Sequence, residues 1–132
     1  MTEKAPRVIA VRQGVVQPTG SWLYVWIDTA NSAVAYVGAT GLDPELRAHL
    51  HLTSDNPDHG RIRATVSRYA ERDFDVLAFA VPSGTSRPAA KDALVAELAA
   101  RGYVDSSVVA APMEAVTAPI ISTIEDSLRG LR

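Results

Sequence analysis

The segment from Trp22 to Val37 has the hydrophobic pattern of two β-strands joined by a polar link. The first run, Trp22–Ile27, is rich in aromatic and β-branched residues, and alternation along it separates an aromatic face from an aliphatic face. The second run is Ala33–Val37, and the polar residues 28–32 between the runs form a short connection. The pattern therefore predicts an antiparallel hairpin that precedes a loop over residues 38–42.

Downstream segments change to helical spacing, interrupted by one more strand. An acid before a proline and a second acid, at Asp43, Pro44 and Glu45, mark a helix start. The predicted elements are a helix from this start to about Leu52, a helix over Arg61–Arg72, a strand over Phe74–Val81, a helix over Pro88–Arg101 and a last helix over Thr117–Leu128. Residues 108–111 fit no single element.

The predicted order of elements defines the fold class. Two strands, two helices, a strand and two helices predict an α+β domain, with a small antiparallel sheet flanked by helices. The 132 residues fit one domain, with a core over residues 20–104, an N-terminal extension over 1–19 and a helical extension over 105–132. Within the first extension, residues 1–6 are expected to be a loose tail. Residues 8–11 and 15–16 are expected to form one strand broken at Gly14.

Composition narrows the classes of partner. The 13 basic and 15 acidic residues give a net charge of −2, so contact with nucleic acid requires a local basic patch. The absence of cysteine excludes disulfides and thiolate metal sites, and it fits a cytoplasmic location. Neither a signal-peptide core nor an apolar run of about 20 residues occurs, so we expect no membrane partner.

Residues 20–52 carry a recognisable arrangement of chemical groups. A tyrosine lies within the first strand, a Tyr-Val-Gly triplet ends the second strand, and an arginine and a histidine lie one turn apart on the following helix. The residues concerned are Leu23, Tyr24, Val25, Tyr36, Val37, Gly38, Thr40, Asp43, Arg47 and His51. This arrangement resembles the GIY-YIG nuclease superfamily, which implies a GIY-YIG-like fold and a nucleic-acid-processing endonuclease that hydrolyses DNA, or RNA, phosphodiester bonds.

The resemblance also implies roles for individual side chains. Tyr24 would act as general base, with Tyr36 and His51 as orienting or proton-transfer partners, and Arg47 would stabilise the phosphate. Arg47 and His51 are four residues apart, so they share one helix face. Two further residues of the motif region, Gly38 and Thr40, are expected to contact nucleic acid. The implied cofactor is Mg²⁺ or Mn²⁺, held by a glutamate early in the helix after the third strand.

At that glutamate position this chain has Lys91. The residue that would bind metal is therefore unknown. Glu97 is the nearest alternative acid, but it lies about 120° around the helix from Lys91. One hypothesis is that the Lys91 ammonium binds phosphate directly; the alternative is a lysine whose stem packs on the helix edge while its charge reaches solvent.

Several alternatives remain open at the level of sequence. Arg61, Arg68 and Arg72 recur at helical spacing, as a phosphate-tracking face or as an ordinary solvated face. Trp22 and Trp26 could stack on bases, although core packing is favoured. The chain is thus either an active nuclease, a catalytically inactive module of the same fold that binds nucleic acid or a protein partner, or an unrelated α+β domain.

Overall fold

The computed structural model describes Val8, residues 10–18 and residues 20–130. Its strands are β1 (Val11–Arg12), β2 (Val15–Val16), β3 (Trp22–Asp28), β4 (Ala33–Thr40) and β5 (Phe74–Ala80). Its helices are α1 (Pro44–Thr53), α2 (Arg61–Thr65), α3 (Arg87–Ala100) and α4 (Glu114–Gly130), and a 3-10 turn covers Tyr69–Glu71. The predicted α+β class, with a small antiparallel sheet and helices, is confirmed.

The main sheet has three strands in the order β4, β3, β5, and both pairings are antiparallel. The central strand sets the position of the site, because Tyr24 lies opposite Gly38 on β4 and opposite Ala78 on β5. Strand β4 continues to Thr40, beyond the predicted end at Val37, so the prediction of a loop at 38–40 was wrong. Pairing with β3 as far as Trp22 keeps this segment extended.

The two faces of β3 pack into separate hydrophobic clusters. Leu23, Val25 and Ile27 contact the aliphatic side chains of α3 and α4, and each of the three is fully buried. Tyr24 and Trp26 lie on the opposite face, beneath α1 and α2. Trp26 is 2% exposed, so core packing rather than base stacking describes it. This aromatic layer is where the residues of the sequence motif meet.

The predicted helix over Arg61–Arg72 was wrong in its length. Helix α2 ends at Thr65, and Arg68 adopts a left-handed backbone conformation with φ of 56° before the 3-10 turn. A left-handed residue cannot continue a right-handed helix. The arginines at 61, 68 and 72 therefore do not form one helical stripe. Arg72 instead pairs at 2.8 Å with Asp28, a carboxylate buried at the end of β3.

The remaining elements need smaller corrections. In place of one broken strand, β1 and β2 form a separate two-stranded hairpin, turned by Gln13 and Gly14 at positive φ. Helix α4 begins three residues before the predicted start, and residues 108–111 have no regular structure. The predicted tail, residues 1–6, lies outside the described residues. In the described chain, no helix has both the length and the hydrophobicity to span a bilayer.

Candidate nucleic-acid site

A short hydrogen bond joins the central strand to the first helix. Tyr24 Oη and His51 Nε2 lie 2.6 Å apart, although 27 residues separate them in sequence. Both side chains are buried, with exposed fractions of 3% for Tyr24 and 0% for His51. Either imidazole tautomer is compatible with this bond. In both cases His51 Nδ1 has no hydrogen-bond partner among the described residues.

Tyr24 occupies the space that a side chain at position 38 would fill. A Cβ built on Gly38 would lie 2.3 Å from both the Oη and the Cζ atoms of Tyr24, closer than real Cβ contacts come. The absence of a Cβ at Gly38 therefore lets the phenol ring lie flat on the neighbouring strand. This gives a physical reason for the glycine that ends the Tyr-Val-Gly triplet.

Aromatic rings surround the imidazole of His51. Its ring centroid lies 5.3 Å from Tyr24, 5.5 Å from Trp26 and 5.1 Å from Tyr36, each in an edge-on arrangement. Such geometry is favourable for aromatic pairs and fixes the orientation of the ring. Tyr36 is half-buried, whereas Tyr24 is enclosed, so Tyr36 forms the side of the cluster nearer to solvent.

Arg47 lies one helical turn before His51 on the same face of α1. Asp43 starts this helix, because its carboxylate accepts a hydrogen bond from the backbone N–H of Leu46. The Arg47 guanidinium donates to the backbone carbonyl of His59 at 2.5 Å, which ties α1 to the following loop. His59 itself is exposed, as is His49, so neither imidazole joins the cluster.

Burial and nearby cations set the protonation of the Tyr24–His51 pair. Burial raises the pKa of Tyr24 to about 12, partly opposed by the positive charge of Arg47. Burial, with smaller contributions from the positive charges of Arg47 and Arg61, lowers the pKa of His51 to about 3. Both side chains are therefore neutral at pH 7. The charged groups that act on the pair are arginines, which makes this an electropositive environment.

The resident residues do not fit the metal that the family resemblance implies. In the described part of the chain, no three histidine or acidic side chains converge as a ligand set. Lys91 lies half-buried on α3, at the position expected for the glutamate. Glu97 pairs with Arg101 at 2.9 Å near the end of the same helix, and Arg101 also faces Glu125 of α4.

The other predicted contact residues have diverse environments. Thr40 is buried, and its hydroxyl accepts a hydrogen bond from the Leu42 N–H at 2.9 Å, which shapes the entry into α1. Arg61 is close enough to His51 to affect its pKa. Arg68 is exposed and pairs with Glu71 at 2.7 Å, which reduces its availability as a phosphate contact. The positive charge of Arg61 thus acts on His51, whereas Arg68 is paired with Glu71.

One cation near the loop that joins β4 to α1 was not predicted from the sequence. Arg87 begins α3, and a Cβ built on Gly41 would lie 2.8 Å from Arg87 Nη1. The guanidinium therefore rests against the loop that joins β4 to α1. Its spacing of four residues from Lys91 was the available signal, because residues so spaced share a helix face; its distance from Gly41 required the fold.

Comparison with known proteins returned no match: neither a family model, nor a curated protein, nor a solved structure is similar to this chain at a significant level.

Proposed function

We propose that this chain is a GIY-YIG-like nucleic-acid-processing protein that binds a DNA phosphodiester at Arg47 and hydrolyses it beside Tyr24. The observation that carries the proposal is the buried 2.6 Å hydrogen bond between Tyr24 and His51, with Arg47 acting electrostatically on both. A guanidinium supplies paired donors to phosphate oxygens. RNA carries the same phosphodiester and is the second substrate class to test.

The pair has the elements of a proton relay. With the Tyr24 hydroxyl donating to the neutral His51 Nε2, the phenol oxygen retains lone pairs that can accept a proton from an attacking water. As that proton arrives, the original hydroxyl proton would pass to Nε2. The low pKa of His51 opposes this transfer in the free protein. The water oxygen would bond to phosphorus as the P–O bond to the leaving oxygen breaks, and the leaving oxygen would take a proton from solvent.

The negative charge of a bound phosphodiester would raise the pKa of His51 and so favour proton transfer from Tyr24 to His51. Arg47 and Arg61 contribute to the low pKa of His51 through repulsion of an imidazolium. A phosphate anion bound by these arginines would offset that repulsion and raise the pKa of His51. The relay would therefore become more competent when a phosphodiester is bound, while the burial contribution to the pKa would remain.

A second candidate function is a non-catalytic module that binds nucleic acid or a protein partner. The observation that favours it is the lack of a converging acidic ligand set in the described residues, together with Lys91 at the glutamate position. Metal-dependent hydrolysis uses such ligands to hold the ion. Fold resemblance alone does not decide between the two functions.

The test is a cleavage and binding assay on single-stranded, duplex and branched DNA and on single-stranded RNA, with Mg²⁺, Mn²⁺ or EDTA. The variants are Arg47→Ala, Tyr24→Phe and the control Arg101→Gln, which alters an exposed ion pair on another helix. Cleavage that both site variants abolish supports hydrolysis. Binding without cleavage, weakened by Arg47→Ala, supports the binding module. Absence of both from folded wild-type protein overturns the proposal.

A further inference from the structure

Arg87 lies against the loop that joins β4 to α1, in the space that a side chain at Gly41 would otherwise occupy. The Arg87 Nη1 atom would lie 2.8 Å from a Cβ at Gly41, and Pro18 Cβ would lie 3.3 Å from the same point. The guanidinium thus packs against Gly41 at the exit of β4, and Arg87 is half-buried. This contact fixes the direction in which a long and flexible side chain points.

The guanidinium lacks an acidic partner within the described part of the chain. The ion pairs there engage the arginines at positions 63, 68, 72, 101 and 129, and Arg87 is in none of them. Lys91 lies one turn further along α3 on the same face and is also half-buried. Two cations therefore lie side by side on the helix that would supply the acid in the resembled family.

The separation from the Tyr24 cluster suits the backbone of a nucleic acid. Gly38 lies beneath Tyr24 and is three residues from Gly41, so the two are at most about 10 Å apart at the rise of an extended strand. Successive phosphates of one strand advance by roughly 3.4 Å along the duplex axis. Because Arg87 contacts Gly41, its guanidinium lies near the end of the strand that carries Gly38, on which the Tyr24 ring lies, and a few nucleotides would span this separation at that rise.

We propose that Arg87, with Lys91 beside it, is a second phosphate contact that binds the same nucleic-acid strand as Arg47. The proposal rests on the proposed function, because it assigns a further contact to the same site. This second contact also explains why the site lacks acidic ligands. The cations on α3 would contact the phosphate backbone of the nucleic acid directly, so binding of the nucleic acid would not require a divalent ion.

The experiment measures binding of a fluorescent single-stranded DNA by anisotropy in EDTA, over a series of salt concentrations. The variants are Arg87→Gln, Gly41→Ala, Arg47→Ala and the control Arg101→Gln. Loss of one phosphate contact on a single strand should reduce the slope of log affinity against log salt by about 0.7, equivalent to roughly fivefold weaker binding near 0.1 M salt. We expect this for Arg87→Gln and no change for Arg101→Gln.

Gly41→Ala tests the position of the guanidinium without removing its charge. The added methyl group would displace the flexible tip of Arg87, so the fold should persist while affinity falls in the same direction. Wild-type affinity and slope in both Arg87→Gln and Gly41→Ala, together with weakened binding in Arg47→Ala, would overturn the second contact and leave the proposed function intact. No binding by the wild-type protein to DNA or RNA would overturn both.

Discussion

The Tyr24 hydroxyl lies 2.6 Å from the His51 imidazole, so a residue of the central strand is bonded to the last full turn of the first helix. Both groups are buried, and the His51 imidazole has no hydrogen-bond partner other than Tyr24 among the described residues. This contact links the stability of the domain to the chemistry proposed for the site, and it can be tested on both counts.

Replacement of Tyr24 by phenylalanine should destabilise the protein by about 1–3 kcal/mol, because it leaves His51 Nε2 buried without a partner. The free energy of unfolding in urea measures the effect. Tyr36→Phe is the matched control, since the Tyr36 hydroxyl makes no hydrogen bond to another described residue. We expect that control to change stability by less than about 0.5 kcal/mol. Equal stability of Tyr24→Phe and wild type would contradict the hydrogen bond.

Stability should fall as the pH decreases from about 6.5 towards 3. The pKa of His51 is about 3 in the folded protein and 6.5 without the fold, so within this window the unfolded chain binds a proton that the folded protein excludes. The contribution is complete above pH 6.5 and declines by at most about 1.4 kcal/mol per pH unit below it. Urea unfolding at pH 7, 6, 5 and 4 gives the profile.

Two histidine variants isolate this titration. His51→Gln should give a flatter profile between pH 6.5 and 4, because the buried imidazole is gone. His49→Gln should retain the wild-type slope, because His49 is exposed on the outer side of the same helix. Identical slopes in the two variants would show that another group governs the pH dependence.

Arg72→Met should destabilise the protein by about 2 kcal/mol near neutral pH, because it removes a charged hydrogen-bond donor from the buried Asp28 carboxylate. The Arg72 hydrogen bond is the main cause of the lowered pKa of Asp28. The stabilisation is therefore present above the ordinary aspartate pKa of 3.8 and is lost as the pH falls below it. A double-mutant cycle with Asp28→Asn measures the coupling, and additive effects would contradict it.

Gly38→Ala should destabilise the protein by about 1–3 kcal/mol, since the new methyl group and the Tyr24 ring cannot occupy the same space. Gly130→Ala is the control, because a Cβ there meets no atom within 4 Å. Thermal unfolding of the two variants distinguishes a specific clash from a general preference for glycine. A smaller cost of Gly38→Ala in a Tyr24→Ala background than in the wild-type background would identify the ring as the cause.

Local patterns predicted the elements whose signals lie within a few residues. The hairpin, β5 and α3 follow from alternation, helical spacing and capping residues, and they occur close to their predicted bounds. The break after α2 was not predictable from spacing, because Ile62, Val66 and Tyr69 remain apolar at helical intervals while Arg68 turns left-handed. The extension of β4 to Thr40 depends on pairing with a distant strand.

The candidate site likewise has features that local sequence patterns predicted and features that depend on contacts between distant segments. The spacing of Arg47 and His51 on one helix face was evident from the sequence, and so was the aromatic face of the first strand. The 2.6 Å contact to Tyr24 depends on how α1 crosses the sheet, and the approach of Arg87 to Gly41 depends on where α3 begins. Neither distance follows from local periodicity, since both join segments far apart in the chain.

The close packing of Tyr24 on Gly38 also favours the observed register of the β3–β4 hairpin over registers shifted by one or two residues. A slip of β4 by one residue would exchange its two faces, and a slip by two would bring Tyr36 or Thr40 opposite the phenol ring. Either of those side chains would collide with the ring that now lies over a bare backbone. A two-residue slip is therefore disfavoured by a steric conflict and a one-residue slip by lost burial, so the same glycine that admits the tyrosine also limits misfolding of the strand pair.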